Sequence, residues 1–424
     1  MFFIGTARAV DQGQHTQLMN WIHSWSGLLF GWLLFAIFLT GTLTVFDNEI
    51  TYWMQPELLE VSSDARDIDD TRPLVMDLAF QSDRWRVDFH TDRPPLLMVK
   101  LQKNRTFSGQ AIDPATGKMV TFRDTEGGDF FFHFHHGLLL GFPGAWIVGT
   151  AGLAMLVALI TGFGIHRWSF KDVFVLRPQS FLQRAWFDAH NLTGILVLPF
   201  HLMITFTGLM IFWSIYMPTE VQFLYGGDFT LSLLSNLHFA QFGSVALRWL
   251  YFLMGLAASA MIATGLVLWT NKRRKYHTEH SGVTSYRFVE VLNVSVVAGL
   301  LVAIATFFWA NRLLPLALID RSLWEMRCFF VVWGICFAHS LLRRGSINAW
   351  KDQLYAAAIL LGLLPLLNWV MTNSHLLITL PKGQWALVGF DLTALAAGLL
   401  LGWTARRLGR AALDLSRLTR TEKQ

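Results

Sequence analysis

Cysteine is nearly missing from this chain. Its 424 residues include two, Cys328 and Cys336, which stand on one predicted helix about 12 Å apart along the axis, beyond disulfide reach. They read as packing residues. Charge is also scarce, at 15% Asp, Glu, Lys and Arg against about 25% in soluble domains, and the segment from Tyr216 to Leu247 has no Lys or Arg at all. No Gly-x-x-x-x-Gly-Lys loop occurs, and no dinucleotide-binding glycine fingerprint; Gly162-Phe-Gly164 lies inside an apolar run and is not one. No soluble segment is large enough for a flavin or nicotinamide domain. If the protein moves electrons, its donor is membrane quinol or a separate cytoplasmic reductase.

What is abundant is apolar. The chain is 53% hydrophobic with 18 Trp and 35 Phe and a mean hydropathy of +0.41. Uncharged runs near 25–46, 145–165, 192–214, 247–269, 291–311, 326–342, 353–372 and 385–404 reach or approach the ~20 residues that cross a bilayer. The chain therefore reads as an all-α polytopic membrane protein with about eight transmembrane helices. Met1 to Gln17 is mixed and polar, unlike a cleavable signal. Basic residues gather in alternate loops: Arg167, Lys171, Arg177 and Arg184; Lys272 to Lys275; Arg343 and Arg344; and Arg406, Arg407 and Arg410 in the tail. By the positive-inside rule both termini and these loops are expected in the cytoplasm, with 47–144 outside. The pI near 9.3 follows from the same bias, so nucleic acid need not be invoked.

The organising stretch is His190 to His201, at the start of the third run. On a straight helix these two histidines lie roughly 20° apart around the axis and roughly 16 Å apart along it. Histidines in a span are expensive and call for a partner; a pair of haems held by imidazoles from facing helices would supply one. The pattern His-x3-Gly-x12-Thr-Gly occurs twice, from His23 to Gly41 and from His190 to Gly208. Gly152-Leu-Ala with Thr161-Gly162 matches Gly255-Leu-Ala with Thr264-Gly265, and His135 and His238 stand 26 residues before each Thr. Residues 23–167 and 190–270 thus read as a duplicated two-span unit forming a four-helix haem-binding core. The small residues allow close helix approach. His23 is expected to face His190, with His166 a competitor at that depth. For the outer site the candidates are His201, His135, His136 and His238. Leu34 stands where a counterpart of His201 would be, so the outer site is not expected to be purely symmetric.

Between the first two spans, Arg84–Phe89, Leu96–Leu101, Phe107–Ile112 and Lys118–Phe122 read as strands, the last two joined at Asp113-Pro-Ala-Thr-Gly117. This is a small α+β domain outside the membrane. At its end, Phe130-Phe-Phe-His-Phe-His-His136 could place His133, His135 and His136 around a transition metal, and Asp124, Glu126 and Asp129 precede it. Pro143 and Gly144 set Phe131–Leu140 apart as a short helix. The expected divisions are 1–46, the N-terminus and first span; 47–144, the extramembrane domain; 145–270, spans two to four; 271–290, a basic loop; 291–404, four additional spans; and 405–424, a basic tail. The last four spans read as scaffold, His339 as a satisfied core histidine, and Asp320, Arg321, Glu325 and Arg327 as a surface ion-pair cluster.

These residues resemble the PepSY-associated transmembrane proteins of bacterial inner membranes, which include ferric-siderophore reductases. The resemblance rests on His23-Ser-Trp-Ser-Gly-Leu28, Thr40-Gly41, Ile112-Asp-Pro-Ala-Thr-Gly-Lys118, His135-His-Gly-Leu-Leu-Leu-Gly141 and His190-Asn-Leu-Thr-Gly194. It implies a PepSY-like periplasmic domain, two b-type haems, and reduction of Fe(III) or a ferric-siderophore in the periplasm, with release of Fe(II) for uptake. The haem ligands it implies are His23, His135, His190, His201 and His238. A non-redox permease or partner subunit, and a haem-containing electron carrier to another protein, are the alternatives.

Overall fold

The computed structural model describes residues 2–57, 84–90, 96–103, 106–112, 119–120, 122–166, 182–216, 228–240, 243–279 and 284–421. The protein is a polytopic membrane protein: among the described residues seven helices are long and apolar enough to cross a bilayer, and a bent pair, counted as one span, makes an eighth. The first half consists of α1 (Phe2–Thr44), α2 (Asp47–Met54), α3 (Asp129–Gly137), α4 (Phe142–His166), α5 (Leu182–Leu196), α6 (Leu198–Tyr216), α7 (Asp228–Phe239) and α8 (Val245–Glu279). Helix α1 packs between α4 and α8, α5 lies on α8, and α6 lies on α4 and α7. The basic run after the fourth span, expected as a loop over 271–290, is helical through Glu279.

The third span departs from its expected form. Helices α5 and α6 meet at Val197 with a bend of 64° between Arg184–Leu196 and Leu198–Phe212, rather than running straight through 192–214. Pro199, in the first turn of α6, has no N–H to bond across the junction, and its ring crowds the preceding turn. His190 and His201 therefore do not share one straight face.

Strands β1 (Arg84–His90), β2 (Leu96–Lys103), β3 (Thr106–Ile112) and β4 (Met119–Val120) form an antiparallel sheet in sequence order. Val87 pairs with Val99, and Val99 with Gln110. Such alternating segments hydrogen-bond as a meander without crossovers. The expected turn over 113–118 falls outside the described residues.

The second half comprises α9 (Thr284–Asn293), a π-helical turn at Val294–Ala298, α10 (Gly299–Leu313), α11 (Arg321–Leu342), α12 (Ile347–Gly362), α13 (Leu364–Met371), α14 (Leu376–Thr379) and α15 (Trp385–Thr421). Its polar groups are deeper than their composition implies. Arg321 and Glu325, expected on the surface, are fully buried and paired. The physical reason is the chain segment that covers them. Thr125 donates to Glu325, as does Asn311, while Arg321 donates to the carbonyls of Asp124 and Asn311. These bonds engage both carboxylate oxygens of Glu325 and both terminal nitrogens of Arg321, which offsets part of the pair's desolvation penalty, while Arg321 Nε has no hydrogen-bond partner among the described residues. Arg327 instead lies over the Trp324 ring, 4.6 Å from its centroid. Nearby, Trp53 on α2 donates to Asp391 of α15 at 2.8 Å, and Arg312 of α10 lies 3.8 Å from the centre of its ring.

Candidate functional site

The first half brings four histidines together as two facing pairs. His23 on α1 and His190 on α5 have ring centroids 6.2 Å apart with planes at 67°. His135 on α3 and His238 on α7 are also 6.2 Å apart, with planes at 29°. A metal–imidazole bond of about 2.0 Å, added to the ~1.1 Å from ring nitrogen to centroid and doubled, gives about 6.2 Å for two coaxial imidazoles on one ion. Both pairs stand at that separation.

Each ring is oriented by the same local device. In every Thr-Gly step of the duplicated pattern the threonine hydroxyl donates back along its helix, Thr40 to Ala36, Thr161 to Val157, Thr207 to Met203 and Thr264 to Ala260. The carbonyl three residues before the threonine turns to a histidine: Ile37 accepts from His135 Nδ1 at 2.8 Å, Ala158 from His23 at 2.9 Å, and Met261 from His190 at 2.9 Å. His238 Nδ1 donates to the Thr207 hydroxyl at 3.0 Å. The glycine that follows lets the ring lie against the helix backbone. A Cβ at Gly41 would stand 2.5 Å from His135, and one at Gly162, Gly208 or Gly265 would stand 3.0 Å from His23, His238 or His190. With Nδ1 serving as donor, the neutral ring presents Nε2 as a lone pair, the arrangement metal-bound histidines use.

Electrostatics favour that neutral form in the second pair. Burial pushes both His135 and His238 below the ordinary imidazole range, His238 to about 3, with repulsion from His136 adding to it at His135 and repulsion from His135 adding to it at His238. A cavity of about 130 Å³, open on one side, lies beside this pair and is lined by Phe38, Gly41, Gly152, Gly208, Leu209 and Phe212 among others. Near the first pair, Arg273 lies 3.8 Å from the centre of the Trp269 ring and 5.5 Å from that of Trp25.

His201 on α6 is completely buried, and neither ring nitrogen has a hydrogen-bond partner among the described residues. The bend at Val197 and the arrival of α7 leave the place opposite His135 to His238, so the second pair is symmetric, contrary to the expectation drawn from Leu34. The signal was present in the matched 26-residue spacings. His136 Nδ1 donates to the Phe132 carbonyl of its own helix, and its ring is 5.6 Å from that of His133. Among the described residues no three His, Cys, Asp or Glu side chains converge as metal ligands. The side chain of His166 falls outside the described residues, and His339 accepts from Gln353 at 3.2 Å. The supporting residues that the sequence did not identify are the glycines and threonines beneath the rings, which spacing alone cannot distinguish from helix-packing positions.

This geometry gives a direct expectation for His201→Leu. It restores the residue at the duplicated position, Leu34, and removes two unsatisfied buried nitrogens, each costing about 1–3 kcal/mol. The variant is expected to melt no lower than the parent and to leave the content of any bound haem unchanged, as thermal unfolding and a pyridine haemochrome count would read. Loss of a haem would place His201 in a site.

Comparison with known proteins gives a family and one relative. Residues 20–228 and 219–272 match the family model described as PepSY-associated TM region. The chain is 24% identical to the uncharacterized protein PA4219 of Pseudomonas aeruginosa, in an alignment that takes in 67% of this chain and 95% of the relative.

Proposed function

Because the chain belongs to the PepSY-associated TM region family and holds two facing histidine pairs, we propose that it is an inner-membrane dihaem b-type reductase that delivers electrons to periplasmic ferric iron or a ferric-siderophore. The observation that carries this reading is the pair geometry: two 6.2 Å imidazole separations, each ring tied through Nδ1. His23 and His190 would hold one haem, and His135 and His238 the other. Bound there, the group would supply one-electron transfer at potentials set by axial ligand and burial. The chain's own part is to fix the imidazole planes, keep Nε2 unprotonated and exclude water around the rings. The threonines and glycines beneath the rings do this at fixed cost in sequence, since each position must be small.

The orientation proposed follows the positive-inside rule: Arg273 and Arg274, Arg343 and Arg344, and Arg406 to Arg410 face the cytoplasm. The first pair then lies near the cytoplasmic face and the second near the periplasmic face, and strands β1 to β4 would belong to a PepSY-like periplasmic domain. The overall change is Fe(III) plus one electron to Fe(II), the electron coming from quinol or a cytoplasmic reductase. Siderophores hold Fe(III) far more tightly than Fe(II), so reduction frees the metal with the chelator intact.

The test is to mix dithionite-reduced protein, freed of excess reductant, with ferric citrate or a ferric hydroxamate chelate in the presence of an Fe(II)-trapping dye. Reoxidation of the haem bands with stoichiometric trapped Fe(II) is expected. Reduced protein that stays reduced with every ferric chelate would overturn the reductase reading and leave an electron carrier to another protein.

A further inference from the structure

We infer that the second half of the chain is the mount for His135, with Phe307, Phe329 and Glu325 as positioning residues for the second histidine pair. The inference rests on the reading of that pair as haem ligands, and it concerns a region the family match does not reach, since that match ends at residue 272.

Helix α3 has nine residues. Nine residues are too few to hold a helix by themselves or to span a bilayer, so the direction in which His135 points is set by what α3 packs against. One face carries His135 to Gly41 and Ile37 of α1. The adjoining face carries Phe130, Phe131 and Phe134, all buried. Phe130 stacks on Phe307 at 4.5 Å and meets Phe329 edge-on at 5.0 Å. Phe131 touches Phe307 and Phe308 at 5.6 and 5.8 Å, and Phe134 reaches Phe329 and Trp333 at 6.1 and 6.2 Å. Every one of these partners belongs to α10 or α11.

The segment leading into α3 is held by the same two helices. Arg123 pairs with Glu57 at 2.6 Å and donates to the Asn311 carbonyl at 3.0 Å. The Asp124 carbonyl accepts from Arg321 at 3.0 Å, its carboxylate accepts from the Ser322 amide at 3.1 Å, and Thr125 donates to Glu325. Gly127 then turns with φ +55°, a conformation glycine adopts freely. The opposite end of α3 is pinned by close approach, because a Cβ at Gly144 would fall 1.7 Å from the Gly137 carbonyl oxygen. The pseudo-symmetric partner helix α7 is mounted differently: Thr207 holds the His238 ring, and Tyr251 donates to the Leu237 carbonyl at 2.8 Å, both from the first half. The asymmetry makes the consequence specific, since slackening α10 or α11 moves His135 and leaves His23 and His190 in place.

The experiment uses full-length detergent-solubilised protein carrying Phe307→Ala, Phe307→Leu or Thr125→Val, with Val331→Ala on the exposed side of α11 as control. The readout is the low-temperature electron paramagnetic resonance of the oxidised protein, with haem retention on dilution. The Ala and Val variants are expected to alter or lose the low-spin signal of the second pair, weakening that haem's binding about 10-fold, with the first pair's signal unchanged. Phe307→Leu keeps most of the volume and is expected to recover most of the parental signal, which also answers any failure of Phe307→Ala to fold. Two parental signals in every folded variant, or equal loss of both, would overturn the mount. A parent protein without haem would instead overturn the reading on which it rests.

Discussion

Replacing His238 by Ala is expected to reduce the haem content from about two per chain to about one, and replacing His190 by Ala is expected to remove the other one. The reason is that the pairs share no residue. His23 lies on Gly162 and His190 on Gly265, whereas His135 lies on Gly41 and His238 on Gly208. Each duplicated unit therefore contributes one imidazole to each site and seats both rings on its own glycines. Changes at sites without shared partners act independently, so the double variant is expected to be nearly haem-free. Spectroscopy can identify which haem is lost, because imidazole planes at 67° and at 29° split the iron d orbitals differently. His238→Ala should remove the signal of near-parallel imidazoles and His190→Ala that of near-perpendicular ones. If either single variant, still folded, keeps both signals, the pairing is wrong.

Gly41→Ala is expected to have nearly as large an effect from a single methyl group. Its Cβ would stand 2.5 Å from His135 Nδ1 and 2.6 Å from Cε1, well inside contact, and the ring cannot slide away without giving up its bond to the Ile37 carbonyl. Supporting groups of this kind are worth about 10–100-fold in metal affinity, so the second haem should dissociate on dilution. Gly27→Ala provides the comparison on the same helix. A Cβ there meets nothing within 4 Å, and replacing a helical glycine by alanine gains up to about 1 kcal/mol. Gly27→Ala should keep both haems and melt at or above the parent temperature. Equal haem retention in the two variants would show that the glycines serve helix packing alone.

Much of the architecture was legible because lipid imposes a simple code. Spans of about 20 apolar residues must satisfy their backbone internally, and the seven long helices and the bent pair fall on the eight apolar runs. The duplicated spacings were equally legible, as was the facing of His23 and His190. What could not be read was the use of each position. Thr-Gly has the same spacing whether it packs a helix or seats a ring, and the difference lies in a residue on another element. Pro199 was visible, but the direction of the bend it permits decides whether His201 or His238 meets His135. Arg321 and Glu325 resembled a surface pair because they sit at the end of an apolar run. They are buried by residues 123–125, a contact separated by about 200 positions.

The measurement that tests the account most directly is the low-temperature electron paramagnetic resonance spectrum of the purified, oxidised protein, with a pyridine haemochrome count on the same sample. About two haems per chain are expected, with two low-spin signals, one strongly anisotropic from near-perpendicular imidazoles and one rhombic from near-parallel imidazoles. A colourless protein that takes up no added haem, or one haem giving a single signal, would contradict it.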